Sequence, residues 1–131
     1  MNHYSVSLIS YLNSRPFLYG LENDPLRDHI RIFLDIPSRT ADKLIHHQAD
    51  VGLVPVGALI DLPGYRIVSD YCIGAVGAVR TVVLASDVPL EEIDCIVLDY
   101  QSRSSVLLAR VLARFLWKKE YSWENSSTGF E

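Results

Sequence analysis

Between Tyr4 and Ile9 apolar and hydroxyl residues alternate, with Val6 and Leu8 on one face and Ser5 and Ser7 on the other. That period of two predicts a short strand. Arg15-Pro16 follows, and proline fits the first turn of a helix but not its interior, so a helix is expected from there to about Leu21. Glu22-Asn23-Asp24-Pro25 is turn chemistry. A second strand is expected over 30–36, stopped by Pro37. Ser38 reads as an N-cap, because Ala41, Leu44, Ile45 and Ala49 follow at helical spacing. The apolar run 51–54 suits a buried parallel strand. Pro55 opens a short helix through Ile60, which Leu62-Pro63-Gly64 ends.

The second half repeats the rhythm. Residues 66–73 read as extended, and Gly74-Ala75-Val76-Gly77 allows close backbone approach. Thr-Val-Val-Leu marks a strand over 80–85, and residues 88–93 supply one helical turn at most. A further apolar strand is expected over 95–99, and a long helix over 103–119. At ~100° per residue, Leu108, Val111, Leu112, Phe115 and Leu116 share one broad arc of that helix, which predicts its buried side. Arg103, Arg110, Arg114 and Lys118 share another, which reads as a solvated face. The residues from Glu124 to Gly129 read as a polar tail. Strands separated by helices imply an α/β fold with a largely parallel sheet.

Composition narrows the function. Of 131 residues 49% are apolar and 21% charged, which suits a chain with a packed core rather than a disordered one. The net charge of −4 argues against a nucleic-acid partner and against charge-driven binding to anionic lipid. No run approaches the ~18 apolar residues that span a bilayer, so no membrane partner is expected. The start, Met1-Asn2-His3-Tyr4, has no basic region of the kind that opens a secretory leader, and a cytoplasmic protein is expected. Cys72 and Cys95 are too sparse for a disulfide framework or a zinc site and are expected to be small half-buried thiols. Adjacent His46 and His47 would point ~100° apart on a helix and cannot converge on one metal. The chain has no GxGxxG, P-loop, GxSxG or HExxH, and no cofactor is implied. Asp99 reads as a turn residue, Glu91 and Glu92 as solvated acids, and Trp117 and Trp123 as packing residues.

In parallel sheets ligands sit beyond the carboxyl ends of the strands. Those positions here hold Ser10, Tyr11, Asn13 and Ser14, then Ser38, Arg39 and Thr40, then Gln101, Ser102, Arg103, Ser104 and Ser105. The set is rich in neutral hydrogen-bond donors at helix starts. Hydroxyls, an arginine and free N–H groups at a helix start suit a carboxylate or phosphate. Ser102-Arg103-Ser104-Ser105 is the strongest example, although serine at a helix start is ordinarily a cap.

Four segments also match a known pattern. Ser10-Tyr11-Leu12-Asn13-Ser14-Arg15-Pro16-Phe17 resembles the opening signature of the chorismate dehydratases of the futalosine route to menaquinone. Asp50 to Val56 resembles that family's third strand, Gly74 to Leu84 its Gly-rich stretch and following strand, and Ser102 to Val106 its Ser-Arg-Thr/Ser-Ser helix opening. Thr81 stands where the family often has Ser, and Val76 and Ala78 stand where a polar residue and Pro are expected. The resemblance implies a type 2 periplasmic-binding-protein-like fold of two α/β lobes. Residues 1–94 would supply the first lobe and 95–131 the start of the second, which needs on the order of 100 more residues to complete. It implies a hydro-lyase with chorismate as its small-molecule partner and no cofactor. Asn13 would hydrogen-bond the ring carboxylate or hydroxyl, and Thr81 would contact the other side of the cleft. Ser102, Ser104 and the N–H groups near Ser105 would take a carboxylate, while Arg103 either binds charge or faces solvent. Exposed core would favour a homodimer. Two other readings share the fold: a non-catalytic receptor for a small carboxylate, and the dihydroxynaphthoate synthase of the same pathway.

Overall fold

The computed structural model describes residues 3–129. Along the chain it forms two compact units, Met1–Ile73 and Gly74–Glu131.

In the first unit, β1 (Tyr4–Ile9) is the middle strand of a parallel sheet, flanked by β2 (Ile30–Asp35) and β3 (Val51–Gly52). Tyr4 pairs with Ile30 and Ile9 with Asp35, so β1 and β2 run in register along their whole length. Alternation along β1 sends Val6 and Leu8 to one face. There α1 (Arg15–Glu22) lays Leu18 against them, and Phe17, Ile30 and Ile32 close the cluster. Ser7 faces the other way, fully buried. It is satisfied there, because its Oγ donates to Asp35 Oδ2 at 3.0 Å. Gly52 beside it lets α2 (Pro37–Ile45) come close: a Cβ on Gly52 would stand 3.0 Å from Leu44 Cδ1 and 3.3 Å from Thr40 Cγ2.

The start of α2 corrects one expectation. Ile36 flanks the helix and Pro37 is its first residue, so Ser38 lies inside the first turn rather than capping it. Proline brings the helical φ already set and has no N–H to satisfy.

The second unit is a βαβ crossover. β4 (Cys95–Leu98) and β5 (Ser122–Asn125) pair in parallel, from Cys95 with Ser122 to Leu98 with Asn125. α3 (Ser104–Leu112) connects them. Ile96 and Leu98 are buried with Ile93, Ala113 and Tyr121, and Val106, Trp117 and Trp123 pack around that core. The Tyr121 ring meets Trp117 and Trp123 edge-on, with centroids 5.9 Å apart in each pair. Both tryptophans are therefore packing residues, as their sequence context suggested.

Four further expectations are corrected. Residues 66–73, read only as extended, belong to no strand, and 80–85, read as a strand, form none; the second stretch holds only a turn, closed by Val82 N–H to Val79 O at 3.3 Å. Their Val and Ile content raises β propensity, but that propensity reflects fit to a pleated, half-buried surface. Here Ile67, Val68, Val82 and Val83 are exposed. The long helix is shorter than expected: after Leu112 it widens into a π-helical turn, Ala113–Trp117, ended by Lys118 in the left-handed region at φ 52°. Val106, Ala113 and Trp117 face the core, while Leu108, Val111, Phe115 and Leu116, the arc expected to be buried, are exposed. β5 occupies part of what read as a polar tail. Cys72 and Cys95 are exposed rather than half-buried. Among the described residues no helix is long and apolar enough to cross a membrane.

The Tyr121 hydroxyl is buried without a hydrogen-bond partner. An unsatisfied buried polar group costs about 1–3 kcal/mol. Tyr121→Phe is therefore expected to leave the unfolding midpoint unchanged or raise it, read by tryptophan fluorescence in urea. A clear fall in midpoint would show that the hydroxyl is satisfied in solution.

Candidate functional site

In the first unit three strand ends converge. Ser10 N–H donates to Asp35 O at 2.8 Å, so the loop after β1 leaves the sheet directly beside the start of α2. Leu53 N–H donates to Ser7 O at 2.9 Å, which brings the exit of β3 to the same edge. The first helical bond of α2 runs from Thr40 N–H to Ile36 O at 3.1 Å. The N–H groups of Ser38 and Arg39 precede it and have no partner within the helix.

Asn13 belongs to a single tight turn, Leu12–Ser14, between β1 and α1. Its neighbours split in direction. Leu12 and Asn13 are exposed, whereas Ser14 is buried. The Ser14 hydroxyl contacts the carbonyls of Ile9 and Tyr11, the latter at 2.8 Å. Asn13 is thus presented outward from a turn whose base is fixed.

An ion pair secures the neighbouring element. Lys43 Nζ lies 2.6 Å from Asp35 Oδ2 and 4.1 Å from the centre of the Phe33 ring. Both charges are largely sheltered, and Ser7 shares the same carboxylate oxygen. This pair pins α2 to the end of β2. Sequence reasoning did not single out either residue, because positions eight apart on different elements carry no local signal.

The second unit holds the other candidates. Asp99 Oδ1 accepts from Gln101 N–H at 2.9 Å, and Asp99 O accepts from Ser102 N–H at 3.3 Å. Asp99 is thus a turn residue, as its position at a strand end suggested. Ser102 Oγ accepts from the N–H of Ser105, the second residue of α3, at 3.1 Å. This engages the Ser105 N–H, and it leaves the proton of the Ser102 hydroxyl available for donation to an acceptor. Ser102, Arg103, Ser104 and Ser105 are all half-buried. Thr81 is exposed within the turn region described above. Asn13 lies in the first unit, and Thr81 and Ser102 to Ser105 lie in the second.

The Ser102 bond has a measurable worth. Replacing a capping Ser by Ala costs about 1 kcal/mol. Ser102→Ala is expected to lower the unfolding free energy of the second unit by about that amount, followed through Trp117 and Trp123 fluorescence.

Other features do not assemble into chemistry. A depression of about 590 Å³ is lined by His3, Arg27, Asp28, Ile30, Arg31 and Ile32. It sits where β1 and β2 begin, at the opposite end from the strand exits. Among the described residues no group of three or more His, Cys, Asp or Glu could hold a metal ion. His47 adopts a positive φ of 54° at the end of α2, and its Nδ1 lies 3.4 Å from the Tyr65 hydroxyl.

The first unit thus gathers neutral donors and peptide N–H groups at its strand exits, and the second gathers hydroxyls beyond β4, a chemistry suited to an anionic metabolite. A family model described as menaquinone biosynthesis matches residues 4–128, nearly the whole chain.

Proposed function

The chain belongs to the menaquinone biosynthesis family, and we propose that its step there is the dehydration of chorismate to 3-[(1-carboxyvinyl)oxy]benzoate. The observation that carries this reading is the polar set at the strand exits: exposed Asn13 on a fixed turn, and the half-buried Ser102 and Ser104 at the start of α3. Chorismate carries two carboxylates and a ring hydroxyl, and each needs a donor. Ser102 and Ser104 take one carboxylate. Asn13 takes the ring carboxylate or the departing hydroxyl, and Thr81 contacts the opposite side. In this reading the chain contributes to a two-lobed, periplasmic-binding-protein-like architecture, with residues 1–94 in the first lobe and 95–131 opening the second. The reading places the protein in the cytoplasm.

The bond changes are simple. The C–H bond at the ring carbon bearing the enolpyruvyl ether breaks, its electron pair forms the new ring double bond, and the C–O bond to the neighbouring hydroxyl breaks. The enolpyruvyl carboxylate of the substrate accepts the ring proton, and the departing hydroxyl leaves as water by taking it. No side chain in the candidate set is an ordinary general base, which favours this substrate-assisted route. Aromatisation supplies the driving force, so the protein's share is orientation. Well-oriented intramolecular groups reach effective molarities of ~10⁵–10⁸ M.

The test is to incubate the protein with chorismate and follow the mixture by mass spectrometry. The expected result is a product lighter by one water with an aromatic absorbance. Recovery of bound but unaltered chorismate would replace the enzyme by a receptor.

A further inference from the structure

We propose that Ser14 is a positioning residue, whose buried hydroxyl sets where Asn13 stands. The inference rests on the role given to Asn13 above and adds a residue that never touches the substrate.

Ser14 is 1% exposed, yet it lies next to one of the most exposed stretches of the first unit. Its Oγ lies between the carbonyl of Ile9, the last residue of β1, and the carbonyl of Tyr11, 2.8 Å away. Its N–H donates to the same Tyr11 carbonyl at 3.1 Å. One buried side chain therefore ties the end of the strand to the start of the turn. Tyr11 is extended at ψ 158°, and the chain must then turn at once into Leu12–Ser14. Backbone bonds from Ser14 N–H to Tyr11 O and from Arg15 N–H to Leu12 O close the turn, and Leu12 at its tip is 85% exposed and gives it no core anchor; the tie from the turn back to Ile9 is the hydroxyl's. The next fixed points are Pro16, with its locked φ, and Leu18 in the core.

Removing the hydroxyl takes its one proton from between the two carbonyls; Tyr11 O keeps the Ser14 N–H, and Ile9 O loses its contact with the turn. The sheet keeps its own ladder, and α1 keeps Leu18. What loosens is the segment between them, which carries Asn13. Misplacement of a contacting group by about 1 Å can cost on the order of 100-fold in rate.

The experiment compares Ser14→Ala, Asn13→Ala and the double variant in the full 131-residue chain. Ser14→Ala is expected to lower kcat for chorismate by ~10-fold or more, with a smaller change in KM. In the Asn13→Ala background the same change is expected to cost nothing further, since the group it positions is gone. An equal cost in both backgrounds would overturn the proposal and make Ser14 a general structural residue. A second readout does not depend on turnover. In Ser14→Ala the amide order parameters of residues 11–14 are expected to fall below ~0.6 while those of β1 and β2 stay near 0.85. Unchanged order at Asn13 would overturn the proposal whatever the kinetics. Absence of turnover in the unsubstituted chain falls instead on the proposed dehydration, and the order parameters then decide the role of Ser14 alone.

Discussion

Asn13→Ala is expected to lower chorismate turnover roughly 10- to 100-fold, with the fold intact. A hydrogen bond to a charged group is worth about 1.5–3 kcal/mol, and about 1.4 kcal/mol is a factor of ten in rate. The side chain is exposed, so its removal leaves no cavity and no buried orphan. The loss therefore belongs to the substrate rather than to the protein, and the unfolding midpoint is expected to stay within about 0.5 kcal/mol of the unsubstituted chain. Asn13→Asp is a sharper variant. It keeps the shape, replaces the amide donor by an acceptor, and adds a negative charge facing a dicarboxylate. It is expected to be at least as damaging as alanine. Steady-state kinetics on the three proteins check this, and turnover within twofold of the parent for Asn13→Ala would remove the residue from the site.

Leu8→Ala is expected to cost the first unit about 2–5 kcal/mol, because it empties a position at the centre of its sheet. Leu8 is 4% exposed, pairs with Leu34 on β2 and packs with Val6 and Leu18. Small domains have little stability in reserve, typically about 5–15 kcal/mol in all, so a large share of the population would be unfolded at modest denaturant. The contrast is Leu12→Ala, four residues on. Leu12 is exposed on the turn beside Asn13, and its truncation is expected to change stability by less than about 0.5 kcal/mol. Urea titrations followed by far-UV circular dichroism separate the two. Equal losses would mean that the turn after β1 is packed rather than open.

These two positions also show what the sequence made legible. β1 and α1 are read correctly because each has its own local signal: strict alternation from Tyr4 to Ile9, and Pro16 at a helix start. β4 is read correctly because a short apolar run between turns has few other homes. The turn roles of Asp99 and the hydroxyl-rich start of α3 follow from residue chemistry alone. The failures have a common cause. The strand expected over 80–85 is a matter of propensity, and propensity needs a neighbouring strand to become structure. The buried side of α3 differs because the more apolar arc was expected to face the core, whereas β4 and β5 are packed by the neighbouring arc of Val106, Ala113 and Trp117, and Leu108, Val111, Phe115 and Leu116 stay exposed. β5 was missed because Ser122, Glu124 and Asn125 are polar, while its place is set by pairing with β4, 27 positions earlier in register. The Lys43–Asp35 pair and the inward Ser14 hydroxyl are likewise products of the third dimension.

The claim on which the functional reading turns is that a dicarboxylate is held by amides and hydroxyls at the strand exits. Backbone amide shifts of the ¹⁵N-labelled chain during a chorismate titration test it residue by residue. The account predicts saturable shifts at Ser10 to Ser14, at Ser38 and Arg39, and at Ser102 to Ser105. Shifts confined to the arginine-bearing depression around Arg27 and Arg31, or to the basic side of α3 at Arg110 and Arg114, would contradict it.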